Sequence, residues 1–459
     1  MAKVCFETFG CQMNKLDSET AAERLAAAGY VIAYSADDAD VILLNTCSVR
    51  KHAEDRVYSR IGALKALKAR RPGLVVGVMG CMAQKDGEEV LRRAPLVDLV
   101  VGPRQEANLA RLIEEVRRGG RVLALDDGRI VRQRPRSDAV RSMPEAAAQP
   151  FERRGLGRPS RFQAFAAITL GCDNFCSYCI VPYVRGPEVS RPAGEVAAEV
   201  RRLAESGARE VTLLGQNVDS YAGGLAGLLR LIHDTPGLLR IRFVTSHPRD
   251  VSDELLAAMA ELPRVCGHLH APAQSGSTRV LGLMNRGYAR DGYLAMVERA
   301  RRLVPGIEIA SDFIAGFPGE TEEDFAQTLS LVEQAGFNQA FIFKYSPRPG
   351  TRAAELPDDV PDGVKRRRNS ELLAAQEAVS TRRNREKHGR VLDVLIEGPS
   401  KNDPSRLCGR SPGNDIVVAD GPESLAGSIV PVRVVGSTPL TLFGEIQRGC
   451  CGLRSALEG

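Results

Sequence analysis

The sequence predicts an α/β protein with an N-terminal doubly wound parallel sheet, a central partial βα barrel and a small C-terminal β barrel. Short apolar segments alternate with helical ones over the first 120 residues, as in a parallel sheet covered by helices. The alternation resumes at about residue 161, and after about residue 388 short strands are broken by glycine and proline. At 459 residues the chain is long enough for several domains. We expect an N-terminal domain over 1–125, a linker over 126–160, the βα barrel over 161–383, the small barrel over 384–448 and a tail over 449–459.

Composition predicts the class of protein and its compartment. Hydrophobic residues make up 43% of the chain and charged residues 26%, which is ordinary for a soluble globular protein. The first residues, "MAKVCFETFGCQMN", do not combine a basic stretch with a long apolar run, so no signal peptide is expected. No segment approaches the roughly 18 consecutive apolar residues of a membrane-spanning helix. We therefore expect a cytoplasmic protein without a membrane partner.

The first domain alternates strands and helices in chain order. Strands are predicted at "KVCFETFG", "VILLNTCSV", "LVVGVMGC" and "LVDLVVG". Helices are predicted at "NKLDSETAAERLAAAG", from Lys51 to Arg70, from about Gln84 onwards, and from Gln105 to Arg118. Short, buried apolar strands that alternate with helices indicate a doubly wound sheet.

The central domain repeats the strand and helix pattern six times. The predicted strands are "RFQAFAAITLG", "REVTLLGQN", "RIRFVTSHP", "VCGHLHAPAQ", "GIEIASDFIAGFPG" and "NQAFIFKYSPRPG". Six such units in about 190 residues favour a full or partial βα barrel, whose chemistry lies at the C-terminal ends of the strands.

The last part of the chain combines a basic helix with short strands. A helix is predicted over about 361–388, followed by β segments in "RVLDVLIEG", "RLCGRSPGNDIVVAD" and "GSIVPVRVVGSTPLTLFGEI". The net charge is only +5, but arginines and lysines cluster in 129–158 and in 365–390. Two such runs on either side of the central domain favour a polyanionic partner.

Three cysteines lie close together just after the first strand of the predicted barrel. Cys172, Cys176 and Cys179 stand in the spacing Cys-x3-Cys-x2-Cys. Three thiolates on one loop can hold three irons of a cubane cluster and leave the fourth iron open. Zinc would need a fourth ligand nearby, and the next histidine is His233.

Three further cysteines each follow a predicted strand of the first domain. They are Cys11 in "TFGC", Cys47 in "LNTC" and Cys81 in "VMGC". The C-terminal ends of parallel strands lie on one edge of a sheet, so these thiols are expected to meet at a second three-thiolate site. The alternative is three separately buried thiols. The other five cysteines are interpreted as non-ligands: Cys5, Cys266, Cys408, Cys450 and Cys451.

The cysteine loop, with Tyr178 before its last cysteine, resembles the radical S-adenosylmethionine enzymes. "CFETFGCQMNKLDSE", "LNTCSVRKHAEDRVYSRIG", "GVMGCMAQ" and "GCDNFCSYCIVPYVRGPEVSRP" resemble the methylthiotransferase family, and best its MiaB-type tRNA-2-methylthio-N(6)-dimethylallyladenosine synthases. "VLIEGPSKNDPSRLCGR" resembles the RNA-binding TRAM domain of that family. The resemblance covers about residues 2–448.

The resemblance implies two 4Fe–4S clusters and S-adenosylmethionine as cofactors. Cys172, Cys176 and Cys179 would hold the cluster whose open iron binds S-adenosylmethionine, and Cys11, Cys47 and Cys81 an auxiliary cluster. The implied reaction places a methylthio group on carbon 2 of dimethylallyl-adenosine next to the anticodon of tRNA and uses two S-adenosylmethionine molecules. Both clusters should then face one cavity between the edge of the N-terminal sheet and the barrel mouth.

Partners follow from the same resemblance: a tRNA anticodon stem-loop, a reducing electron donor protein and a sulfur source, with the enzyme acting as a monomer. Two alternative substrates are threonylcarbamoyl-adenosine in tRNA and an aspartate of a ribosomal protein. A third alternative is a non-catalytic iron–sulfur RNA-binding protein.

Several other residues are candidates for contacts at the barrel mouth. Gln216, Asn217 and Asp312 lie at strand ends or late in a strand and are predicted to contact S-adenosylmethionine or substrate. His247, in "TSHP", has either a place in the site or a structural hydrogen bond. Small residues at Ala271, Ala273 and Ala315 stand where the family more often carries larger ones, and we expect them to widen the barrel interior.

Overall fold

The computed structural model describes residues 1–48, 51–126 and 161–447. The predicted linker and tail, the basic run over 129–158, and Cys450 and Cys451 lie almost entirely outside these ranges. Within them, no helix combines the length and the apolar character that a membrane span requires.

The N-terminal domain is a parallel sheet of six strands in the order β2-β1-β3-β4-β5-β6. The strands are β1 (Lys3–Phe9), β2 (Val31–Ala33), β3 (Val41–Thr46), β4 (Val75–Gly80), β5 (Leu99–Val101) and β6 (Val122–Ala124). Four of these strands were predicted from sequence. The two added strands, β2 and β6, have only three residues each, which is too short for a recognisable pattern.

Helices cover both faces of this sheet, which confirms the doubly wound arrangement. They are α1 (Gln12–Ala27), α2 (Lys51–Arg70), α3 (Cys81–Arg93) and α4 (Leu109–Arg117). Leu25 of α1 and Leu112 of α4 share one hydrophobic core, whereas Ile61 of α2 and Val90 of α3 share the core on the other face. Each core excludes water from one side of the sheet. Because both sides are covered, the strands of the sheet are continuous apolar segments.

The predicted start of the third helix at about Gln84 is wrong. The helix begins at Cys81, directly after β4, because Gly80 adopts a φ of +92° and turns the chain without an intervening loop. A Cβ at Gly80 would collide with the Asn45 side chain. Cys81 therefore occupies the first turn of α3.

The central domain contains six parallel strands around an open barrel, as predicted. They pair as β7-β10-β11 and β12-β13-β14, and a bridge between Ile241 and Val265 joins the two groups. The strands of this domain, including a short hairpin pair, are β7 (Gln163–Ala167), β8 (Thr169–Leu170), β9 (Val189–Ser190), β10 (Glu210–Leu214), β11 (Arg240–Phe243), β12 (His268–His270), β13 (Glu308–Ala315) and β14 (Gln339–Lys344).

Helices pack on the outside of this barrel. Apart from the short α5 (Val181–Val184), they are α6 (Ala193–Glu205), α7 (Leu225–His233), α8 (Asp253–Glu261), α9 (Thr278–Leu283), α10 (Arg290–Leu303) and α11 (Glu322–Ala335). Ala271, Ala273 and Ala315 are fully buried in the core shared with these helices, together with Phe313. The expectation that they widen the barrel interior is wrong, because all three belong to this shared core, and alternation along β13 directs Ala315 and Phe313 to the helical side.

The C-terminal domain is a closed barrel of five strands in the order β15-β16-β17-β19-β18. The strands are β15 (Val391–Pro399), β16 (Leu407–Arg410), β17 (Ile416–Asp420), β18 (Ile429–Ser437) and β19 (Thr441–Ile446). Closure leaves no free sheet edge and encloses a small apolar core that includes Val394, Val430 and Leu442. The small β barrel is thus confirmed.

Helix α12 (Asp362–Arg385) connects the two barrels and runs the full height of the central one. Near its start, the Lys365 ammonium lies 5.2 Å from the ring centroid of Tyr345, just beyond the C-terminal end of β14. Near its end, Arg383 pairs with Glu308 at the N-terminal start of β13, at 2.7 Å. Its 24 residues span about 36 Å.

The small barrel is docked on the N-terminal ends of the central strands. Arg240, at the start of β11, donates to the carbonyl of Asp393 at 2.7 Å. Arg242 donates to the Ser411 carbonyl at 2.7 Å and pairs with Glu210 at 2.8 Å. The small barrel therefore lies at the opposite end of the central barrel from the predicted chemistry.

Candidate cluster-binding site at the barrel mouth

Cys172, Cys176 and Cys179 lie on one tight loop after β8, at the C-terminal end of the barrel. The backbone N–H of Cys179 donates to the Cys176 carbonyl at 2.9 Å. Gly171 has a φ of +77°, and a Cβ there would collide with the carbonyl of Pro187. Only glycine fits at this position, so the loop enters the site in one fixed direction.

The three thiols of this loop are close enough to affect one another. Burial, helped by the neighbouring Cys176, raises the pKa of Cys172 to about 12. Burial, Cys176 and Cys172 together raise the pKa of Cys179. Buried thiols of this kind ionise when a metal centre takes the place of the proton. Three soft donors on one loop fit an iron–sulfur cluster.

No group of three or more histidine, cysteine or acidic side chains in the described ranges surrounds a single metal-ion position.

Arg286 is a residue of this site that sequence reasoning missed. Its guanidinium donates to the Cys176 sulfur at 3.2 Å, to the Tyr178 hydroxyl at 3.4 Å and to the Pro272 carbonyl at 2.8 Å. Arg286 is buried, although it is 110 residues from Cys176 in the chain. The only sequence signal was its place in "LMNRGY", which assigns no role to the arginine.

Cys11, Cys47 and Cys81 lie at one edge of the N-terminal sheet. Cys11 follows β1 and Cys47 follows β3, and these neighbouring strands form the point where the strand order reverses, the usual ligand site of such sheets. A hydrogen bond with Cys47 lowers the pKa of Cys11 to about 6. Burial raises the pKa of Cys81, which also interacts electrostatically with Cys11.

Two buried asparagines hold these strand ends together. Asn14 donates to the Asn45 side-chain oxygen at 3.0 Å, and Asn45 donates to the Asn14 carbonyl at 2.8 Å. The Cys11 thiol donates to Asn14 at 3.1 Å. Buried amides that satisfy each other in this way fix a single arrangement of the edge.

The two cysteine groups meet at the contact between the domains. Arg185, six residues beyond Cys179, donates to the Cys81 sulfur at 3.3 Å and pairs with Asp17 at 2.5 Å. Cys81 also packs against Ile180, the residue after Cys179. The loop that carries one cysteine group thus lies against the sheet edge that carries the other.

The remaining predicted residues lie at the mouth with different surroundings. Asn217 is buried, donates to Asp250 at 2.8 Å and accepts from the His247 backbone at 3.2 Å, so it links two strand-end loops. The Gln216 side-chain oxygen is buried without a hydrogen bond from the described chain. Asp312 lies 3.2 Å from His270.

His247 is held in its neutral form. Burial, together with Arg286 and Arg249, lowers its pKa to about 2. Its Nδ1 accepts from the Arg249 backbone N–H at 3.4 Å, and its ring packs edge-to-face on Tyr288. These contacts support the structural interpretation of His247.

Three family models match successive parts of the chain. The uncharacterized protein family UPF0004 matches residues 3–102, the radical SAM superfamily residues 167–332 and the TRAM domain residues 385–446. Among solved structures, a radical S-adenosylmethionine methyltransferase, TsrM, from Kitasatospora setae is similar in fold, with a TM-score of 0.54, 16% identity and 77% of each chain covered.

Curated relatives match nearly the whole chain. A tRNA-2-methylthio-N(6)-dimethylallyladenosine synthase of Moorella thermoacetica is 44% identical over 96% of this chain and 98% of its own. One of the same name from Syntrophotalea carbinolica is 45% identical over 97% of this chain and 100% of its own. The chain belongs to the tRNA-2-methylthio-N(6)-dimethylallyladenosine synthase family of radical SAM enzymes.

Proposed function

We propose that this enzyme places a methylthio group on carbon 2 of N(6)-dimethylallyl-adenosine beside the anticodon of tRNA. The observation that carries the proposal is the contact of Arg185 with Cys81, which brings two groups of three cysteines to one interface. Relatives that are 44–45% identical over the whole chain carry the corresponding name. That name, and membership of a family of synthases, argue against the non-catalytic alternative.

Iron–sulfur and S-adenosylmethionine are the cofactors of the radical SAM superfamily. Together they supply one-electron chemistry at an aromatic carbon, whose hydrogen no side-chain base can remove. We propose that Cys172, Cys176 and Cys179 hold one 4Fe–4S cluster and that Cys11, Cys47 and Cys81 hold a second. The mutual pKa effects within each group support this assignment.

Two buried arginines complete the proposed site. Arg286 donates to Cys176, and Arg185 donates to Cys81. Each cation offsets the negative charge of a thiolate group in a place from which water is excluded, and its hydrogen bond orients that sulfur. We assign both residues a positioning role.

We propose that Gln216, Asn217 and Asp312 contact bound S-adenosylmethionine or substrate. Gln216 supports this most directly, since its buried oxygen needs a donor that the described chain does not supply. Asn217 already makes hydrogen bonds on both sides of its amide and would act by holding the loops in place.

The tRNA is proposed to lie along α12. Arg382 and Arg385 are exposed on this helix, near the small barrel, whereas the cysteine groups lie at the far end of the central barrel. A helix of about 36 Å can follow the phosphates of a stem while the single-stranded loop reaches the mouth. The TRAM match supports RNA binding by the small barrel.

We also propose that a reducing protein donates the electron, that a sulfur source replaces the transferred sulfur and that the enzyme acts as a monomer, with domain limits at 125, 160, 383 and 448. A cytoplasmic location is proposed because tRNA is the substrate.

Nucleoside mass spectrometry of tRNA from a deletion strain tests the function. We expect the methylthio form of dimethylallyl-adenosine to disappear and to return with the intact gene, but not with a Cys81→Ala gene. Loss of methylthio-threonylcarbamoyl-adenosine, or of a modified ribosomal-protein aspartate, would favour one of the alternative substrates instead.

A further inference from the structure

Helix α1 packs against one side of the central barrel. Met13 and Leu16 of this helix pack against Phe165 of β7 and Leu214 of β10, whose side chains face away from the outer helices. The N-terminal domain thereby packs against the barrel interior at β7 and β10. No residue of β12, β13 or β14 belongs to this hydrophobic cluster.

Phe341 is exposed on that second side. On β14, Ala340 and Ile342 pack against the core shared with the outer helices, so Phe341 between them faces the barrel interior. Nevertheless its exposed fraction is 41%. Of the large hydrophobic residues that are exposed in the described ranges, only Phe341 and Tyr34 are aromatic, and Tyr34 lies beside β2 in the N-terminal sheet.

Two polar side chains lie next to this ring. Asp312 stands opposite Phe341 in the register of β13 and β14. Nε2 of His270, at the end of β12, lies 3.2 Å from Asp312 Oδ1. The His270 ring packs edge-to-face on the Phe341 ring, with 6.3 Å between the ring centroids. No hydrogen bond to Asp312 Oδ2 is formed within the part of the chain described. An aromatic face beside an unpaired carboxylate oxygen can both stack a ring and accept an N–H.

The exposed ring is close to the cysteine loop. Ile314 lies two residues beyond Asp312 on the same face of β13 and packs in one cluster with Tyr178, which precedes Cys179. Two residues along a strand cover about 7 Å. A ring on Phe341 would therefore lie beside the place where the proposed reaction occurs.

We propose that Phe341, Asp312 and His270 receive the adenine ring of the RNA substrate, an inference that rests on the function proposed above. The base stacks on Phe341, and Asp312 accepts the one N–H that a singly alkylated exocyclic nitrogen retains. Proteins recognise single-stranded loops by stacking splayed bases on aromatic side chains. S-adenosylmethionine also carries adenine, so binding of S-adenosylmethionine alone is measured to distinguish the two ligands.

The test measures binding by the full-length enzyme with its clusters reconstituted. The probes are an anticodon stem-loop that carries dimethylallyl-adenosine, the same stem-loop with an abasic nucleotide at that position, and S-adenosylmethionine alone. Phe341→Ala removes the ring, Phe341→Tyr keeps it, and Tyr34→Ala is the matched control for loss of an exposed aromatic. Iron content and thermal melting confirm that each variant is folded.

We expect Phe341→Ala to weaken binding of the modified stem-loop by roughly 5- to 150-fold, the effect of losing one stacked base. Phe341→Tyr and Tyr34→Ala should bind like the wild type. On the abasic stem-loop Phe341→Ala should have no effect, since the ring then has no base to stack on. Affinity for S-adenosylmethionine should be unchanged.

Two results overturn the inference. Equal weakening on the modified and abasic stem-loops, or none on either, removes the stacking role. A loss of affinity for S-adenosylmethionine alone assigns the adenine to the cofactor. Failure of the wild-type enzyme to produce the methylthio nucleoside would instead count against the proposed function, so the two failures are distinguishable.

Discussion

Arg185 donates a hydrogen bond from Nε to the sulfur of Cys81 across 3.3 Å, although 104 residues separate them. The same guanidinium pairs with Asp17 of α1 at 2.5 Å. Arg185 follows the cysteine loop of the central domain, whereas Cys81 and Asp17 belong to the N-terminal domain. One buried side chain thus joins the two halves of the proposed site.

The first prediction concerns this ion pair. Arg185→Met leaves Asp17 buried without a partner, so we expect the free energy of unfolding to fall by about 3–5 kcal/mol in urea denaturation. Arg111→Met is the control: its ion pair with Glu115 is exposed, and its removal should change stability by at most about 1 kcal/mol. The double variant Arg185→Met/Asp17→Leu should recover much of the stability, because no buried charge is then left unpaired. If the double variant were as unstable as Arg185→Met, the pairing of Arg185 with Asp17 would be contradicted.

The second prediction separates ligands from structural thiols. Cys81→Ala should lower the iron content of the reconstituted enzyme from about eight to about four per chain, since one 4Fe–4S cluster no longer forms. Cys266 is also buried, but its charged neighbours are Arg242, Glu210 and Arg240 at the N-terminal ends of the strands, so Cys266→Ala should keep full iron. Full iron in Cys81→Ala would remove the second cluster from the proposal.

The third prediction concerns the floor of the central barrel. Arg242 pairs with buried Glu210 and donates to carbonyls of the small barrel. Arg242→Met should destabilise the chain by about 3 kcal/mol, because Glu210 stays buried without a cation and keeps only the hydrogen bond from Gln163. Limited proteolysis should then release the small barrel. Arg230→Met, in an exposed ion pair with Glu254, should leave both stability and proteolysis unchanged.

The fourth prediction concerns RNA binding by α12. Arg382→Gln/Arg385→Gln should weaken binding of the stem-loop, because fewer phosphates are neutralised. The slope of log Kd against log salt should fall by roughly 0.7–0.9 for each phosphate that the variant no longer neutralises. Arg111→Gln on the N-terminal domain is the control for removal of an exposed cation. An unchanged salt slope in the double variant would place the RNA on another surface.

The fifth prediction is a pH dependence of stability. Burial raises the pKa of Asp219 to about 8, although the Ser246 hydroxyl donates to its carboxyl at 3.0 Å. A raised folded-state pKa means that the native state favours the protonated carboxyl of Asp219. The contribution of this carboxyl to the free energy of unfolding is therefore fully present below the ordinary pKa of 3.8. It is lost as the pH rises from there to about 8, because only the unfolded state ionises in that range. Asp219→Asn should therefore lose less stability than the wild type between about pH 5 and 8 in urea denaturation. Parallel pH profiles of the two proteins would contradict the shift.

Much of the fold could be predicted because its signals are local. Apolar strands, helical periodicity and glycine-rich turns depend on residues within one element, and these predicted all three domains. The elements that sequence reasoning missed or misplaced also depend on only a few residues. The three-residue strands β2 and β6 carry too little pattern, and the early start of α3 at Cys81 depends on the left-handed conformation of Gly80.

The sequence by itself determined the three-part α/β architecture, the cysteine loop over 172–179 and the expectation that Cys11, Cys47 and Cys81 share a sheet edge. Only the tertiary structure decided that Arg185 and Arg286 reach cysteine sulfurs and that the small barrel docks opposite the mouth. The reason is physical. Strand-end position follows from chain order, whereas a hydrogen bond between residues more than 100 positions apart depends on how whole domains bury their surfaces against each other.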